Sequence, residues 1–279
     1  MPKKILVVPD VHGETFWRKP VQKYIDQVDR LIFLGDYLDP YRGKFEEYDA
    51  EAVFNNMMEI VNLKLENKEK VILLKGNHDY HYSSRRALLL ACASRCDIKN
   101  WQRYNKVFND YEEFFKLAHI EDVKGITYLF SHAGLTTYWI NKVNAKMWKL
   151  NDRDISVAGQ DIIDKINMLE YDFEGQNMLA VIGKSRSING EKSGSLLWAD
   201  IYEHSIPDAP NVYSLNQVFQ VFGHTRLEED IAAFDNLALI DSRQCFIIDE
   251  NMKENIITIK DYELKIMDKN NLTNEICKK

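Results

Sequence analysis

The stretch KILVVPDVHG, residues Lys4–Gly13, decides the fold of this chain. It opens with the mostly apolar run Lys4–Val8, which predicts a buried β-strand. Asp10 follows that strand, and His12 comes two residues later. In an extended segment, side chains two residues apart share a face, so the carboxylate and the imidazole can point at one ion. The stretch therefore predicts a strand whose carboxyl end carries two metal ligands.

The same pattern occurs twice more in the first third of the chain. Apolar runs at Leu31–Leu34 and Val71–Leu74 predict two further buried strands, each followed within three residues by Gly and then Asp or Asn. Between the three strands, the sequence predicts helices over Thr15–Val28 and Phe45–Glu66. Fully apolar strands that alternate with helices are typical of a parallel sheet covered on both faces. Ligands then belong beyond the carboxyl ends of the strands.

Five short motifs place Asp, Asn or His at the ends of apolar runs, beside Gly or Pro. They are Pro9–Gly13, Gly35–Asp39, Gly76–Asp79, Ser131–Gly134 and Gly223–Thr225. Each motif alone has an ordinary explanation as a solvated loop or a turn, because Gly and Asn tolerate left-handed backbone. Together they indicate a two-metal hydrolase.

The residue types also indicate which ions such a site would take. A carboxylate with an imidazole, as at Asp10 and His12, suits Mn, Fe or Zn better than Ca. The two oxygens of Asp36 could bridge two cations, and the later motifs add the amide of Asn77 and the imidazoles of His132 and His224. A bridged pair of ions about 3.5–4 Å apart can activate a water molecule and clamp an anionic phosphoryl group.

His78 has a different predicted role. It follows Asn77 and can point into the site without binding metal, so that its protonated form could donate to a leaving oxygen. Such a His needs an anionic partner, and Asp39 is the natural candidate. The ordinary alternative for Asp39 is a turn residue before Pro40. His81 and Asp79 could play supporting parts.

Composition makes some classes of protein and partner less favoured than others. The chain has 279 residues, is 45% hydrophobic and carries a net charge of -7, which disfavours a nucleic-acid partner because such proteins usually show a basic surplus. The sequence shows neither a signal peptide nor an apolar run long enough to cross a membrane, and its four cysteines lack metal-site spacing. We therefore expect a cytoplasmic protein with no membrane partner, in which Cys92 and Cys96 are small buried thiols.

The remaining organisation indicates a single domain over residues 1–279. An aromatic stripe within the helical stretch Ser83–Leu117 predicts core packing, and short β-like runs follow from Val218. Residues 136–194 are expected to form a helical insertion that acts as a lid or side wall, and residues 270–279 a frayed tail.

In their order and spacing, the five motifs resemble those of the calcineurin-like metallophosphoesterase superfamily, over roughly Lys3–Asp249. The chain is most similar to the phosphoprotein phosphatases and the symmetrical diadenosine tetraphosphate hydrolases, whose Leu-Trp-Ser/Ala segment resembles Leu196–Asp200. The resemblance implies an α/β fold (α+β by some schemes): a central β-sandwich flanked by helices, with strand ends meeting at a di-metal centre. The alternation alone would have implied only a parallel sheet.

The resemblance also implies roles for individual residues. Two divalent or trivalent ions, Mn and/or Fe with Zn or Ni also acceptable, would be held by Asp10, His12, Asp36, Asn77, His132 and His224. In that pattern Asp36 bridges the ions, a bridging hydroxide attacks phosphorus in line, and His78 with Asp39 forms the acid dyad.

The chain departs from the family pattern at three places: it lacks one His and two Arg residues. Arg226 stands where many nucleases and phosphodiesterases of the superfamily have a second His, which favours the phosphatase branch. Pro40 stands where phosphoprotein phosphatases have an Arg, and no Arg lies between Asp200 and Arg226. Arg42 and Arg186 are therefore the candidates for clamping phosphate, with an exposed, solvated charge as the alternative for each.

The leading hypothesis is a phosphatase acting on a phosphomonoester or a nucleotide polyphosphate. Its substrate would be a phosphorylated small molecule, a nucleotide or a phosphoprotein. The alternative is a phosphodiesterase or nuclease on the same fold, which would need a groove with a basic lining. A non-enzymatic binding scaffold is the third hypothesis; it would be expected to have lost ligands, particularly His78, and the sequence keeps every candidate.

Overall fold

The computed structural model describes most of the chain, over residues 3–41, 48–90, 95–150, 159–205, 218–227, 232–234, 237–249, 257–260 and 263–265. Predictions for Arg42, Cys92 and residues 270–279 lie outside the described residues.

The first half of the chain alternates strands and helices. Its elements are β1 (Lys4–Val8), α1 (Arg18–Tyr24), β2 (Arg30–Phe33), α2 (Ala50–Glu66), β3 (Val71–Leu74), α3 (Asn77–Ser83), α4 (Arg85–Leu90), α5 (Trp101–Asp110), β4 (Phe115–Lys116), β5 (Ala118–Val123) and β6 (Ile126–Ser131). The predicted first helix is shorter than Thr15–Val28, since α1 ends at Tyr24 and a 3-10 turn follows. Helix α2 begins after Asp49, whose carboxylate accepts the backbone N–H groups of Glu51 and Ala52.

The second half starts with helices and ends with strands. Its elements are α6 (Thr137–Val143), α7 (Gln160–Asn167), α8 (Phe173–Leu179), α9 (Ile201–Ser205), β7 (Val218–Phe222), β8 (Ala232–Phe234), β9 (Leu237–Leu239), β10 (Phe246–Asp249), β11 (Ile257–Lys260) and β12 (Glu263–Lys265). None of the helices in the described ranges has the length and apolar character needed to span a bilayer.

The strands form two sheets. The first has the order β12-β11-β10-β1-β2-β3-β4, and the second has the order β5-β6-β7-β9-β8. Strands β1 to β4 run parallel, as the alternation predicts, but β10 joins β1 in antiparallel pairing. In the second sheet β6, β7 and β9 are parallel to one another. The carboxyl ends of β1, β2 and β3 therefore lie together in the first sheet, and those of β6, β7 and β9 lie together in the second.

Successive side chains along a strand point to opposite faces of its sheet. One hydrophobic core therefore lies between the two sheets, and another lies on the outer face of each sheet. Ile5 of β1 lies in one buried cluster with Phe130 of β6 and Val221 of β7, so the two sheets pack face to face. On the opposite face of the first sheet, Leu6 belongs to a cluster that includes residues of α1, α2 and α5, and Phe108 there confirms that the aromatic stripe is core. The predicted α/β architecture, a β-sandwich flanked by helices, is confirmed.

The segment predicted as a helical insertion covers the outer face of the second sheet. Trp139 of α6, Ile163 of α7 and Leu179 of α8 are buried in one cluster with Leu129 of β6. The helices therefore form a packed layer of the sandwich. Their assignment as an insertion with a lid function stays a prediction.

Candidate active site

The candidate site lies where six strands end. The residues that follow β1, β2, β3, β6, β7 and β9 within a few positions are Asp10, Asp36, Asn77, His132, His224 and Asp241. All six are buried. The structure thus brings together every predicted metal ligand of the strand ends and adds Asp241.

The backbone at several of these residues is left-handed. His12, Asp36, Asp39 and His224 have φ values of 45°, 51°, 56° and 71°, and they account for four of the seven non-glycine residues with positive φ among those described. Each such residue costs on the order of 1–3 kcal/mol, which the surrounding structure must offset. Concentration of strain at one place is typical of a functional site.

Two glycines let the chain pass close to the carboxylates. A Cβ atom on Gly76 would collide with Oδ1 of Asp36, and one on Gly223 would collide with Oδ1 of Asp10. The Gly before Asn77 and the Gly before His224 are therefore steric requirements of the site.

Asp79 holds the turn after β2 against the start of α3. Its carboxylate accepts the backbone N–H groups of Asp36 at 2.6 Å, Tyr37 at 2.9 Å and Gly76 at 2.8 Å. Each of these N–H groups would otherwise be buried without a partner. The final Asp of the Gly-Asn-His-Asp motif thus positions Asp36 and Asn77 relative to one another.

Asp10, His12 and Asp36 form the first group of candidate ligands. The Nδ1 atom of His12 lies 3.1 Å from the carbonyl oxygen of Leu38 and 3.0 Å from that of Asp39, so Nδ1 carries the proton. Nε2 then presents a lone pair; it has no hydrogen-bond partner and lies 3.4 Å from Oδ2 of Asp36. A buried lone pair that faces a carboxylate is the arrangement that a bound cation satisfies.

Asp36, His132 and His224 form the second group, together with Asn77. His132 Nδ1 lies 3.0 Å from the carbonyl oxygen of Leu34, which leaves a lone pair on Nε2. That Nε2 is 2.9 Å from Oδ1 of Asn77, an acceptor facing an acceptor. His224 Nδ1 lies 3.1 Å from the same Nε2, so three donor atoms are close enough to share one ion at the ~2.0–2.2 Å of metal–ligand bonds.

The electrostatics fit cations at both groups. Burial lowers the pKa of His12, His132 and His224 well below the ordinary value, which keeps these imidazoles in the neutral form that binds metal. Burial, together with the nearby carboxylates Asp241 and Asp79 respectively, raises the pKa of Asp10 and Asp36. A cation would relieve this crowding of carboxylates. The residues present therefore fit the ions, although their role as ligands stays a prediction.

The predicted dyad is assembled beside these groups. His78 Nδ1 lies 2.9 Å from Oδ2 of Asp39, whose other oxygen accepts the hydroxyl of Tyr82 at 2.6 Å. On the other side of the ring, Nη2 of Arg95 is 3.5 Å from Nε2 of His78. Burial, assisted by Arg95, lowers the pKa of His78 to about 3, while burial raises the pKa of Asp39 to about 6.

One of the two predicted phosphate-clamping arginines is placed at the edge of the site. Nη2 of Arg186 donates to Oγ1 of Thr225 at 2.9 Å and lies 3.0 Å from Oδ2 of Asp200. It therefore stands next to His224. Arg42 lies outside the described residues.

The sequence motifs do not point to Tyr41, Arg95, Arg243 or Asp241, and Arg226 enters them only as the residue in place of a second His. The ring of Tyr41 lies 4.3 Å from that of His12, centroid to centroid. Isolated Arg and Tyr residues in loops carry no periodic signal. Asp241 could have been found, because it follows the apolar run Leu237–Ile240 just as Asp36 follows its own run.

The chain is similar to one sequence family over most of its length and, more distantly, to solved structures. The sequence profile described as calcineurin-like phosphoesterase matches residues 3–225. Among solved structures, a protein serine/threonine phosphatase from Saccharomyces cerevisiae with similarity to human phosphatase PP5 is 16% identical, with a TM-score of 0.48, and the match covers 88% of this chain and 72% of that one. Yfce, a phosphoesterase from E. coli, is 14% identical, with a TM-score of 0.40, over 94% and 97% of the two chains. No curated protein sequence matches the chain.

The profile covers most of the chain, including all the motifs from Asp10 to Thr225. Members of this family use divalent metal ions, and the chain has candidate clusters to hold them. The chain belongs to the calcineurin-like phosphoesterase family and is a hydrolase that acts on phosphoric esters.

Proposed function

We propose that the chain is a di-metal phosphatase that hydrolyses the terminal phosphoryl group of a phosphomonoester or a nucleotide polyphosphate. The observation that carries the proposal is that Asp36 belongs to both groups of candidate ligands. One carboxylate shared by two groups supports two neighbouring ions with a common bridge. Mn and/or Fe are the ions proposed, and the mixed oxygen and nitrogen donors also suit Zn or Ni.

Some residues of the chain would hold the ions, and others would bind the substrate. Asp10 and His12 would hold one ion, Asn77, His132 and His224 the other, and Asp36 both. Two bound ions supply an activated water and neutralise charge on the phosphoryl group. Arg186, beside His224, is placed to bind a phosphoryl oxygen through its guanidinium group.

His78 would assist departure of the leaving group. Its Nδ1–H is directed at Asp39, which leaves the lone pair of Nε2 facing Arg95. The neutral ring is favoured by burial, so a proton on Nε2 requires the negative charge of a bound phosphoryl group, which raises the pKa of a nearby imidazole. His78 would then give that proton to the leaving oxygen.

The substrate class is a phosphorylated small molecule, a nucleotide or a phosphoprotein. The buried thiol of Cys245 is free, which supports a reducing compartment such as the cytoplasm.

Activity should be assayed in protein stripped of metal by a chelator and then reloaded with Mn. We expect hydrolysis of p-nitrophenyl phosphate to disappear on chelation, to return with Mn, and to exceed hydrolysis of bis-p-nitrophenyl phosphate. Full activity in protein shown by elemental analysis to be free of metal would disprove the mechanism. A preference for the diester would replace the phosphatase by a phosphodiesterase.

A further inference from the structure

Three arginines converge on Tyr41 beside the candidate metal site. The guanidinium carbon of Arg95 lies 4.2 Å from the centroid of the Tyr41 ring, that of Arg226 lies 5.1 Å away and that of Arg243 5.5 Å away. These distances are those of cation–π contacts. The four residues come from four separate loops, so the cluster, which we call the Tyr41 cluster, is a product of the tertiary fold.

The cluster concentrates positive charge at an accessible place. Arg226 is exposed, and the Arg243 side chain is 33% exposed and paired with Glu14 at 2.6 Å. Asp241 acts electrostatically on Arg226 and Arg243, Asp39 on Arg95, and Asp10 and Asp36 on Tyr41. Asp10 and Asp36 are candidate metal ligands, and bound ions would neutralise their charge. Three guanidinium groups held close together beside such ions are stabilised when an anion binds.

The cluster lies on the side of the site where the leaving group would depart. Tyr41 contacts His12 edge to face, and Arg95 spans from Tyr41 to Nε2 of His78. That nitrogen is the atom from which a proton would pass to the leaving oxygen. A guanidinium next to it favours a leaving group that is itself an anion.

We propose that Tyr41, Arg95, Arg226 and Arg243 form a subsite for a second phosphate, so that the preferred substrate is a phosphoanhydride. This inference rests on the proposed function and narrows its substrate class. Guanidinium groups suit phosphate because their N–H donors match its oxygens in bidentate pairs. Cation–π contacts with the ring of Tyr41 hold the three guanidinium groups close together.

In the reaction, a water oxygen bonds to the terminal phosphorus while the bond from that phosphorus to the bridging oxygen breaks. The departing phosphate keeps the electron pair of the broken bond and takes the proton from Nε2 of His78, and the proton that the water loses restores His78 through the solvent. Orthophosphate and the shortened phosphate compound are the products. The Tyr41 cluster binds the departing phosphate throughout.

The test compares inorganic tripolyphosphate with p-nitrophenyl phosphate as substrates of the Mn-loaded protein. In the double variant Arg226→Gln/Arg243→Gln, kcat/KM for tripolyphosphate should fall at least tenfold more than kcat/KM for p-nitrophenyl phosphate. The matched control is Arg103→Gln, because Arg103 also pairs with a carboxylate, Glu51, and lies over an aromatic ring, that of Phe54. The control should leave the ratio of the two values within twofold of wild type.

Substitutions of Tyr41 provide an independent test of the subsite. Tyr41→Phe keeps the aromatic ring and should preserve the preference for tripolyphosphate, whereas Tyr41→Leu should lower it at least fivefold. Equal losses on both substrates in the arginine variant, or equal ratios in the two Tyr41 variants, would overturn the inference.

A binding measurement distinguishes failure of this inference from failure of the proposed function. Methylenediphosphonate, which cannot be hydrolysed, should bind at least tenfold more weakly to the double variant than to wild type in calorimetry. If wild type hydrolyses neither substrate but shows this difference, the proposed function fails and the second-phosphate subsite stands. Equal affinity in both proteins overturns the subsite even where hydrolysis is observed.

Discussion

At the scale of single residues, the surroundings of His78 would determine when it could serve as the proposed general acid. Asp39 fixes the ring through Nδ1, and Tyr82 in turn fixes Asp39. Burial and Arg95 both disfavour the charged ring, so a proton on Nε2 depends on bound substrate. The contribution of His78 should therefore be largest where the leaving oxygen is strongly basic.

We expect His78→Ala to lower kcat for phenyl phosphate by ~10²–10⁴-fold, the usual range for acid–base assistance. The loss with p-nitrophenyl phosphate should be smaller, because its leaving oxygen is stable without a proton. Steady-state kinetics with both substrates measure the difference. His119→Ala, whose imidazole contacts Glu121 rather than the site, is the control and should retain wild-type rates.

The proposal for His78 would be wrong if His78→Ala lost the same factor on both substrates. Loss of bound metal in that variant would instead identify His78 as a ligand or a structural residue.

At the scale of elements, the turn from β3 into α3 bears Asn77 and His78 and is anchored by a buried ion pair. Lys75, in this turn, forms a buried ion pair with Glu170, which lies in the 3-10 turn before α8. The side chains are only 2% and 8% exposed. The pair ties the turn that bears Asn77 to the helical layer on the second sheet.

Lys75→Met should lower the free energy of unfolding by about 3–5 kcal/mol, because it leaves the Glu170 carboxylate buried without its partner. The double variant Lys75→Met/Glu170→Leu should recover most of that loss. Urea denaturation of the metal-loaded proteins gives both values. Lys106→Met, which breaks an exposed pair with Asp110, should cost less than about 1 kcal/mol.

A loss below about 1 kcal/mol for Lys75→Met would show that the buried pair does not hold the turn. A double variant as unstable as the single one would mean that packing, rather than the unpaired charge, is responsible.

The elements also show what the sequence can predict. The ends of β1, β2 and β3 follow from short apolar runs and adjacent turn residues, which are local signals. The pairing of β1 with β10 joins Lys4 to Asp249, and no local sequence pattern predicts it. The same holds for the Tyr41 cluster and for Lys75 with Glu170, since these contacts depend on how distant loops meet after the sheets have packed.

At the scale of the whole molecule, the site exists only where the two sheets meet. Asp10 of the first sheet accepts the backbone N–H of His224 from the second at 3.1 Å, and Asp36 lies 3.5 Å from Nε2 of His132. Each sheet contributes three of the six strand ends. Metal binding should therefore be linked to folding of the entire sandwich.

The pKa shifts of buried carboxylates predict how each of them changes the unfolding free energy of the metal-free protein with pH. Burial raises the pKa of both Asp79 and Asp241 to about 7, from an ordinary value of 3.8. Above pH 6.5 the unfolded chain has already lost these protons while the folded chain still holds some, so stability falls as pH rises. The buried histidines, whose pKa values are lowered, act in the opposite sense over the same range, because the unfolded chain still loses histidine protons around and above their ordinary value of 6.5.

The effect of one carboxylate is isolated by comparing chelator-treated wild type with chelator-treated Asp241→Asn, which has the same histidines. We expect the unfolding free energy of wild type to fall relative to that of the variant by about 1 kcal/mol between pH 6.5 and 8, because the carboxyl group of Asp241 loses its proton near pH 7. Thermal unfolding of both proteins across this range measures the difference. A difference between the two Tm values that does not change with pH would contradict the role of the Asp241 carboxylate.

The central claim is that Asp36 serves two metal ions at once, and metal stoichiometry tests it most directly. After equilibration with Mn and removal of free ions, elemental analysis should find two ions per chain in wild type. It should find fewer than two in Asp10→Asn, where one group of ligands is damaged, and close to none in Asp36→Asn, where both are damaged. Two tightly bound ions in Asp36→Asn would contradict the account.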